Sequence, residues 1–314
     1  MLDASVIIST RNRAHQLSSL FAALNSQVLP VNYSWELIII DNGSTDETST
    51  VINTEIKKNQ LPIILLTEPI PGKSRALNLG ISRMKGELVI FTDDDVEPDP
   101  LWLKSYIEAS QAHPQINGFA GKVIPRWLGE SPEWLHTKGE FALPRGITNT
   151  RDFGNEIHIL PDDIIPGGVN TALRRTILKD IGSFRVELGP GTSVPFAEDT
   201  EYMCRYKAIG GVFLYVPAAL LYHCNVPERM TKAYVINWMF EVARCQVLAF
   251  ETCVKNKTIG DVPTYLLRQC IERFFIWILE PRSNQRLQKK MKLFHTVGKI
   301  KGYWQLDNFV KLNL

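Results

Sequence analysis

The first hundred residues alternate short apolar runs with amphipathic stretches. Ala4 to Thr10 and Trp35 to Asp41 are β-branched and apolar with hardly a polar position. Such runs predict strands buried on both faces, as in parallel sheets. Pro62 to Thr67 and Glu87 to Phe91 predict a third and a fourth strand. Between them, Leu17, Leu20, Phe21 and Leu24 recur at one-face helical spacing. Asn42 to Glu47 reads as a turn and a helix cap. Gly72-Lys73-Ser74-Arg75 leads into a helix carrying Ala76, Leu77, Leu79 and Ile81. The βαβαβαβ order predicts an α/β fold, a mostly parallel sheet with helices on both faces.

Beyond residue 115 the alternation breaks down. Gly118 to Ile124 predicts another strand, and residues 125–166 read as irregular, with Trp127 and Trp134 among several Pro and Gly. A long irregular segment suits a lid or a substrate loop, or a surface excursion anchored by its Trp residues. Gly167 to Arg175 predicts a strand entered through two glycines, which allow close backbone approach. Phe196 to Tyr202 opens a helix that runs toward Gly210-Gly211. Val212 to Val216 is a strand, and Tyr222-His223-Cys224 follows it. From about 228 the pattern is helical, with Trp238, Met239, Val242 and Cys245 on one face and a second helix from Tyr265 to Leu279. The division expected is a catalytic domain over 1–227 and a C-terminal helical extension over 228–314.

The candidate chemistry sits at Thr92-Asp93-Asp94-Asp95, three carboxylates at the carboxyl end of the fourth strand. Open α/β sheets bind ligands at that edge. Crowded carboxylates raise each other's pKa, and a divalent cation removes the penalty. Oxygen ligands suit Mg²⁺ or Mn²⁺, which is commonly shared with phosphates. Taken alone, the stretch fits equally an acidic loop capping the next helix. No GxGxxG follows the first strand, so a diphosphate has no glycine loop there and the acids with a metal are the available holder.

Composition narrows the class. The chain has 314 residues, 45% hydrophobic and 22% charged, with a formal net charge of +2. That balance is ordinary for a globular protein and gives no general attraction to nucleic acid. Five scattered Cys, without a CxxC pair or zinc spacing, fit a reducing compartment. The N-terminus shows no signal-peptide pattern and no apolar run reaches spanning length. The expected location is cytoplasmic, with a peripheral position on the inner face of the plasma membrane as an extension of that reading.

Five motifs in order now resemble a family. They are Val6-Ile7-Ile8-Ser9-Thr10-Arg11-Asn12-Arg13, Ile39-Ile40-Asp41-Asn42-Gly43-Ser44-Thr45-Asp46, Gly72-Lys73-Ser74-Arg75-Ala76-Leu77-Asn78, Thr92-Asp93-Asp94-Asp95 and Ala197-Glu198-Asp199-Thr200-Glu201. Together they resemble an inverting family 2 glycosyltransferase of the GT-A fold, over residues 4 to about 224. The resemblance implies a nucleotide-diphosphate sugar donor, with UDP favoured, and a divalent cation. It implies that Asp41 contacts the base or ribose, that Thr10, Arg11 and Arg13 line the same pocket, and that Asp93 and Asp95 are the two ends of the DxD motif, with Asp93 and Asp94 on the donor side. Asp93 and Asp95 would hold the metal, with His223 as a third ligand. Asp199 would be the catalytic base, with Glu198 beside it. Asn42 departs from the commoner Asp-Asp-Gly-Ser pattern.

The chemistry supports these roles independently. A nucleoside diphosphate leaves with developing negative charge, which a cation stabilises. An acceptor hydroxyl needs a base on the opposite face, from an element other than the metal acids. Glu198-Asp199 can supply it, although at a helix start it can also simply complement the dipole. Lys73 and Arg75 either meet phosphate or are solvated helix-start residues. Gly167, Gly168, Asn170, Trp127 and Trp134 are expected near the donor sugar and acceptor. His223 can equally be structural.

The basic stretch Arg282 to Lys301 interleaves cations with Leu287, Met291, Leu293 and Phe294. It fits an interfacial helix on an anionic membrane, or an appendage packed on the protein. The expected acceptor is a glycan or lipid-linked hydroxyl in polysaccharide or glycolipid synthesis. The other readings are a nucleotidyltransferase, which would want a glycine-rich first loop, and a non-catalytic nucleotide-sugar-binding subunit of an assembly complex, which would be expected to lose Asp95 or the Glu198-Asp199 pair.

Overall fold

The computed structural model describes residues 2–136, 139, 142–251 and 258–313. Residues 137, 138, 140 and 141 of the irregular stretch, and Cys253, lie outside them. In chain order the elements are β1 (Leu2–Thr10), α1 (Leu17–Asn25), β2 (Trp35–Asp41), α2 (Thr48–Lys58), β3 (Ile63–Thr67), α3 (Lys73–Arg83), β4 (Gly86–Thr92) and β5 (Val96–Pro98). Then come α4 (Trp102–Ala112), β6 (Gly118–Trp127), α5 (Arg145–Thr148), β7 (His158–Ile159), β8 (Asn170–Arg174), α6 (Arg175–Ile181), α7 (Glu198–Ala208) and β9 (Phe213–Asn225). The chain closes with α8 (Lys232–Phe250), the two-residue strands β10 (Thr258–Ile259) and β11 (Val262–Pro263), α9 (Thr264–Ile278) and α10 (Ser283–Asn313).

The sheet runs β3-β2-β1-β4-β8-β6-β9-β5, with β7 on β9. The first four strands are parallel. β8 then enters antiparallel to β4, with Thr92 opposite Asn170, and β6 pairs antiparallel to β8. Successive residues of β1 bury on opposite faces, as a strand's period of two requires. Val6 and Ile8 join one apolar cluster with α1 and α4, while Ile7 joins another with α3, α6 and α7. Each fully buried Ile of this kind contributes about 1.5–3 kcal/mol. The strand expected at 212–216 is longer than its apolar core suggested. β9 continues through Pro217 to Asn225, so His223 lies within a strand rather than after one.

The chain forms two compact units, each discontinuous in sequence. The first comprises residues 1–126, 149–186 and 198–224, and the second 127–148, 187–197 and 225–314. The sequence reading drew one boundary near 227. The second unit also includes two earlier segments because they carry apolar residues into its clusters: Leu135, Leu143 and Ile147 in one, Leu188 and Val194 in the other. Within that unit α8 and α10 approach closely. A Cβ on Gly298 would stand 2.1 Å from the Phe240 carbonyl oxygen, and one on Gly302 2.8 Å from Val247 Cβ. Among the described residues no helix is long and apolar enough to cross a membrane.

Candidate active site

The loops after β1 and β2 are tied together. Asn12, at φ +54°, accepts from the Thr45 amide at 2.8 Å, and the Arg13 amide donates to Thr48 Oγ1 at 2.8 Å. Asp41 is 3% exposed. Its Oδ1 accepts from the Ser44 amide at 2.9 Å and its Oδ2 from the Ser49 hydroxyl. Arg11 is exposed and forms no side-chain hydrogen bond or ion pair among the described residues, whereas Thr10 is buried. Asn42 is more than a departure from pattern. Its amide donates to the Glu68 and Ile70 carbonyls at 3.0 and 2.8 Å and accepts from the Gly72 amide at 2.8 Å. It thereby fixes the turn that starts α3. An aspartate lacks the two donors.

α3 opens with Lys73, whose Nζ lies 2.5 Å from Asp93 Oδ1 and 3.6 Å from Glu198 Oε1. Burial works against its charge, but Asp93, Glu198 and Asp199 together hold the ammonium protonated well above its usual range. Arg75, two residues on, is half-buried and forms no side-chain hydrogen bond or ion pair among the described residues.

β4 delivers the three acids in three directions. Asp93 turns to Lys73. Asp94 points inward, where its Oδ2 accepts from Thr10 Oγ1 at 2.7 Å and its Oδ1 lies 3.8 Å from Arg13 Nε. Burial, with Asp95 and Asp93 adding repulsion, pushes the Asp94 carboxyl up to about 7. Asp95 precedes β5, which pairs with β9 so that Val96 lies opposite His223. That register brings Asp95 Oδ1 to 3.3 Å from His223 Nε2. Asp93, Asp95 and His223 each offer one ligand atom, and these atoms lie within 4.8 Å of one another. Two carboxylate oxygens and an imidazole nitrogen suit a divalent cation of the Mn²⁺ type, so the residues fit one. Asn149 Nδ2 is 3.1 Å from the same His223 nitrogen.

The acidic pair opens α7. Ala197, just before it, holds φ +81°, a conformation that a residue with a Cβ rarely adopts and that is enriched at functional sites. Glu198 is buried, and burial together with the Asp199 charge pushes its carboxyl up to about 7, against the pull of Lys73. Asp199 is held by the backbone. Its Oδ2 accepts from the Gly168 amide at 2.7 Å and its Oδ1 from the Thr200 amide at 2.6 Å. Gly167, at φ +76°, and Gly168 make room for this contact. Arg151 fixes the preceding loop by donating to the Pro166 carbonyl at 2.8 Å. The Thr92 hydroxyl donates to the Val169 carbonyl at 2.8 Å, so the glycine turn stands beside the acids of β4. One small cavity is lined by Lys73, Asp93, Gly168 and Asp199.

Three expected site residues do not join this cluster. Asn170 is 3% exposed and fully committed. It accepts from Trp102 Nε1 and the Tyr106 hydroxyl, and donates to the Lys122 and Ala219 carbonyls. Its task is to join strands, because a buried amide must satisfy its polar atoms. Trp127 and Trp134 pack in the second unit against a cluster with Leu135, Met230 and Met291. Conversely, Asn149 and Arg151 were passed over in the sequence, and Asn42 was noted there only as a departure expected to matter little. Asn42 alone carried a signal, an amide in place of an acid.

The parallel half of the sheet, continued by antiparallel strands and flanked by helices, is the GT-A glycosyltransferase fold. Solved structures share the fold. The mannosyltransferase PcManGT from Pyrobaculum calidifontis, in complex with GDP-Man and Mn²⁺, superposes with a TM-score of 0.60 at 15% identity, covering 96% of this chain and 86% of that one. S. aureus TarS 1-349 in complex with UDP-GlcNAc gives 0.54 at 17% identity, covering 99% and 92%. The profile of glycosyl transferase family 2 matches residues 5–182, and the chain belongs to that family. Glycosyltransferase AglE of Haloferax volcanii is 26% identical over 190 residues, 60% of this chain and 58% of the relative. The pre-mycofactocin glycosyltransferase of Mycobacterium tuberculosis is 25% identical over 225 residues, 70% and 42%. The chain thus spans about half the length of these curated relatives.

Proposed function

We propose that the protein is an inverting glycosyltransferase. It moves a sugar from a nucleoside-diphosphate donor, a UDP-sugar, to a hydroxyl of a glycan or lipid-linked acceptor. The observation that carries this reading is the meeting of two charge clusters at Lys73. Asp93, which groups with Asp95 and His223, and Glu198, beside Asp199, both pair with Lys73, and Asp93, Gly168 and Asp199 line one cavity. The base and ribose of the donor lie against Asp41, Thr10, Arg11 and Arg13. Asp41 keeps acceptor capacity, since a carboxylate takes about four hydrogen bonds. Arg75 and Lys73 face the donor phosphates.

Asp199 takes the proton of the acceptor hydroxyl as that oxygen attacks the anomeric carbon. The bond from the anomeric carbon to the diphosphate oxygen breaks, configuration inverts, and the nucleoside diphosphate leaves. A divalent cation held by Asp93, Asp95 and His223 would supply the positive charge that stabilises the departing diphosphate. The backbone amides of Gly168 and Thr200 orient the Asp199 carboxylate. Lys73 keeps Asp93 and Glu198 from repelling one another. The C-terminal helical region brings the enzyme to a membrane that carries its acceptor.

The test is a thermal shift with UDP, GDP, CMP and dTDP, with and without Mn²⁺, followed by donor turnover. Stabilisation by UDP that requires Mn²⁺ and vanishes in Asp95→Ala supports the site. Binding without turnover or transfer in the wild type would favour the non-catalytic binder. No binding by any of them would remove the diphosphate site.

A further inference from the structure

The sequence directs attention to the basic stretch as the membrane element, yet the bulky residues of α10 are largely used up inside its own unit. Met291, Leu293, Ile300, Tyr303 and Leu306 are all buried. Among the described residues, the exposed apolar face is that of α9. Ile271, Phe274, Phe275 and Ile278 are 61, 41, 55 and 46% exposed. They stand at i, i+3, i+4 and i+7, which is one stripe of a helix. Leu279, 76% exposed, extends it by a residue. Of the whole helix only Leu266 is buried.

The stripe is continuous with two open grooves and a cationic rim. Phe274, Phe275 and Lys290 line a groove of about 580 Å³. A second groove, of about 840 Å³, shares Trp277, Lys290 and Phe294 with it and adds Lys232 and Arg286. Lys290 Nζ lies 5.5 Å from the Trp277 ring centre. The corner between α9 and α10 is fixed by the buried Glu280 carboxylate, which pairs with Arg282 at 2.9 Å and with Lys289. Residues 264–301 hold nine Lys and Arg against two Glu, a net +7 in a chain of net +2.

We infer that α9 is the element that seats this protein on a bilayer, with Ile271, Phe274, Phe275 and Ile278 entering the headgroup boundary and Lys232, Arg286 and Lys290 meeting anionic lipid. Charge decides the occupant. A second copy would set the same cationic surface against itself, because a two-fold interface joins a patch to its own duplicate. An anionic bilayer complements both the stripe and its rim. This rests on the reading of the C-terminal region as membrane-docking, and names the element and the lipid chemistry.

Flotation of the full chain with phosphatidylcholine vesicles, with and without phosphatidylglycerol, tests it. The expected result is flotation only with phosphatidylglycerol, lost at high salt. Phe274→Gln/Phe275→Gln should lower partitioning at least about tenfold with melting unchanged. Arg286→Glu, a surface change that spares the stripe, should weaken it as well. Equal flotation of the double variant overturns the assignment to α9 while leaving membrane docking in place. No flotation of the wild type overturns both, with glycosyl transfer to a soluble acceptor unaffected. A wild-type dimer by light scattering that the double variant turns into a monomer assigns the face to a second copy instead.

Discussion

Gly168 donates its amide to Asp199 Oδ2 at 2.7 Å, and a Cβ on residue 168 would stand 2.8 Å from the Cβ of Asp199. The hydrogen bond and the missing side chain are two aspects of one close approach. Gly168→Ala must therefore push the carboxylate aside. Misplacing a catalytic group by about an ångström costs about 10²-fold in rate. The expected outcome is a fall in kcat of that order with donor KM little changed. The accompanying stability loss should be about 1–3 kcal/mol, checked by urea titration.

The residues proposed to hold the metal come from two segments, Asp93 and Asp95 from between β4 and β5 and His223 from β9, and the β5–β9 register brings His223 to Asp95. His223→Gln should weaken Mn²⁺ binding at least about tenfold by calorimetry, with melting of the metal-free protein nearly unchanged. Chelation with EDTA should abolish transfer, and Mn²⁺ should restore it. Unchanged Mn²⁺ affinity in the variant would remove His223 from the ligand set.

Asn42→Asp restores the commoner motif and should nevertheless destabilise the protein. It sets a carboxylate against the Glu68 and Ile70 carbonyls that the amide now serves. An unsatisfied buried polar group costs about 1–3 kcal/mol, more when charged. The introduced acid has its pKa raised in the folded state. Its penalty is therefore small at low pH and grows as pH rises through its unfolded value. Urea midpoints near pH 4 and pH 8 (about) check the trend.

Glu198 carries its own pH signature. Its carboxyl rises from 4.5 to about 7 on folding, through burial and the neighbouring Asp199. Between those values the unfolded chain releases a proton that the folded chain keeps, so stability falls as pH rises across that window. Glu198→Gln removes the titration. The metal-free variant should match the wild type near pH 4 and exceed it by about 1–3 kcal/mol near pH 8, measured by thermal melts. A constant difference across the range would place the raised pKa elsewhere.

The parallel half of the sheet was legible because its signals are local. The runs ending at Thr10, Asp41 and Thr92 each carry their functional residues at their own carboxyl ends. Glu198-Asp199 could be placed at a helix start for the same reason. What lies beyond comes from pairing between distant segments, which leaves no periodic trace. Nothing near Gly167 says that β8 runs antiparallel beside β4. Asn170 was expected near the donor sugar, and its structural task stayed hidden because its four partners come from α4, β6 and β9. Pro217 broke the apparent strand before His223, although the burial alternation continues to Asn225. The exposure of the α9 apolar positions was not legible either, since residue type alone does not tell whether a neighbour covers them.

The antiparallel entry of β8 also sets an order of assembly. Residues 2–95 emerge from the ribosome carrying Asp93, Asp94 and Asp95 just past the end of β4, and β4 can already pair with β1 on one side. The other edge of β4 waits for β8, whose Val169 carbonyl meets the Thr92 hydroxyl 77 residues further along. Until that segment is synthesised, β4 presents open backbone donors and acceptors, the kind of edge that recruits strands from other chains. The nascent protein thus passes through an interval in which its acids are present but neither Asp199 nor the strand that protects the sheet has arrived.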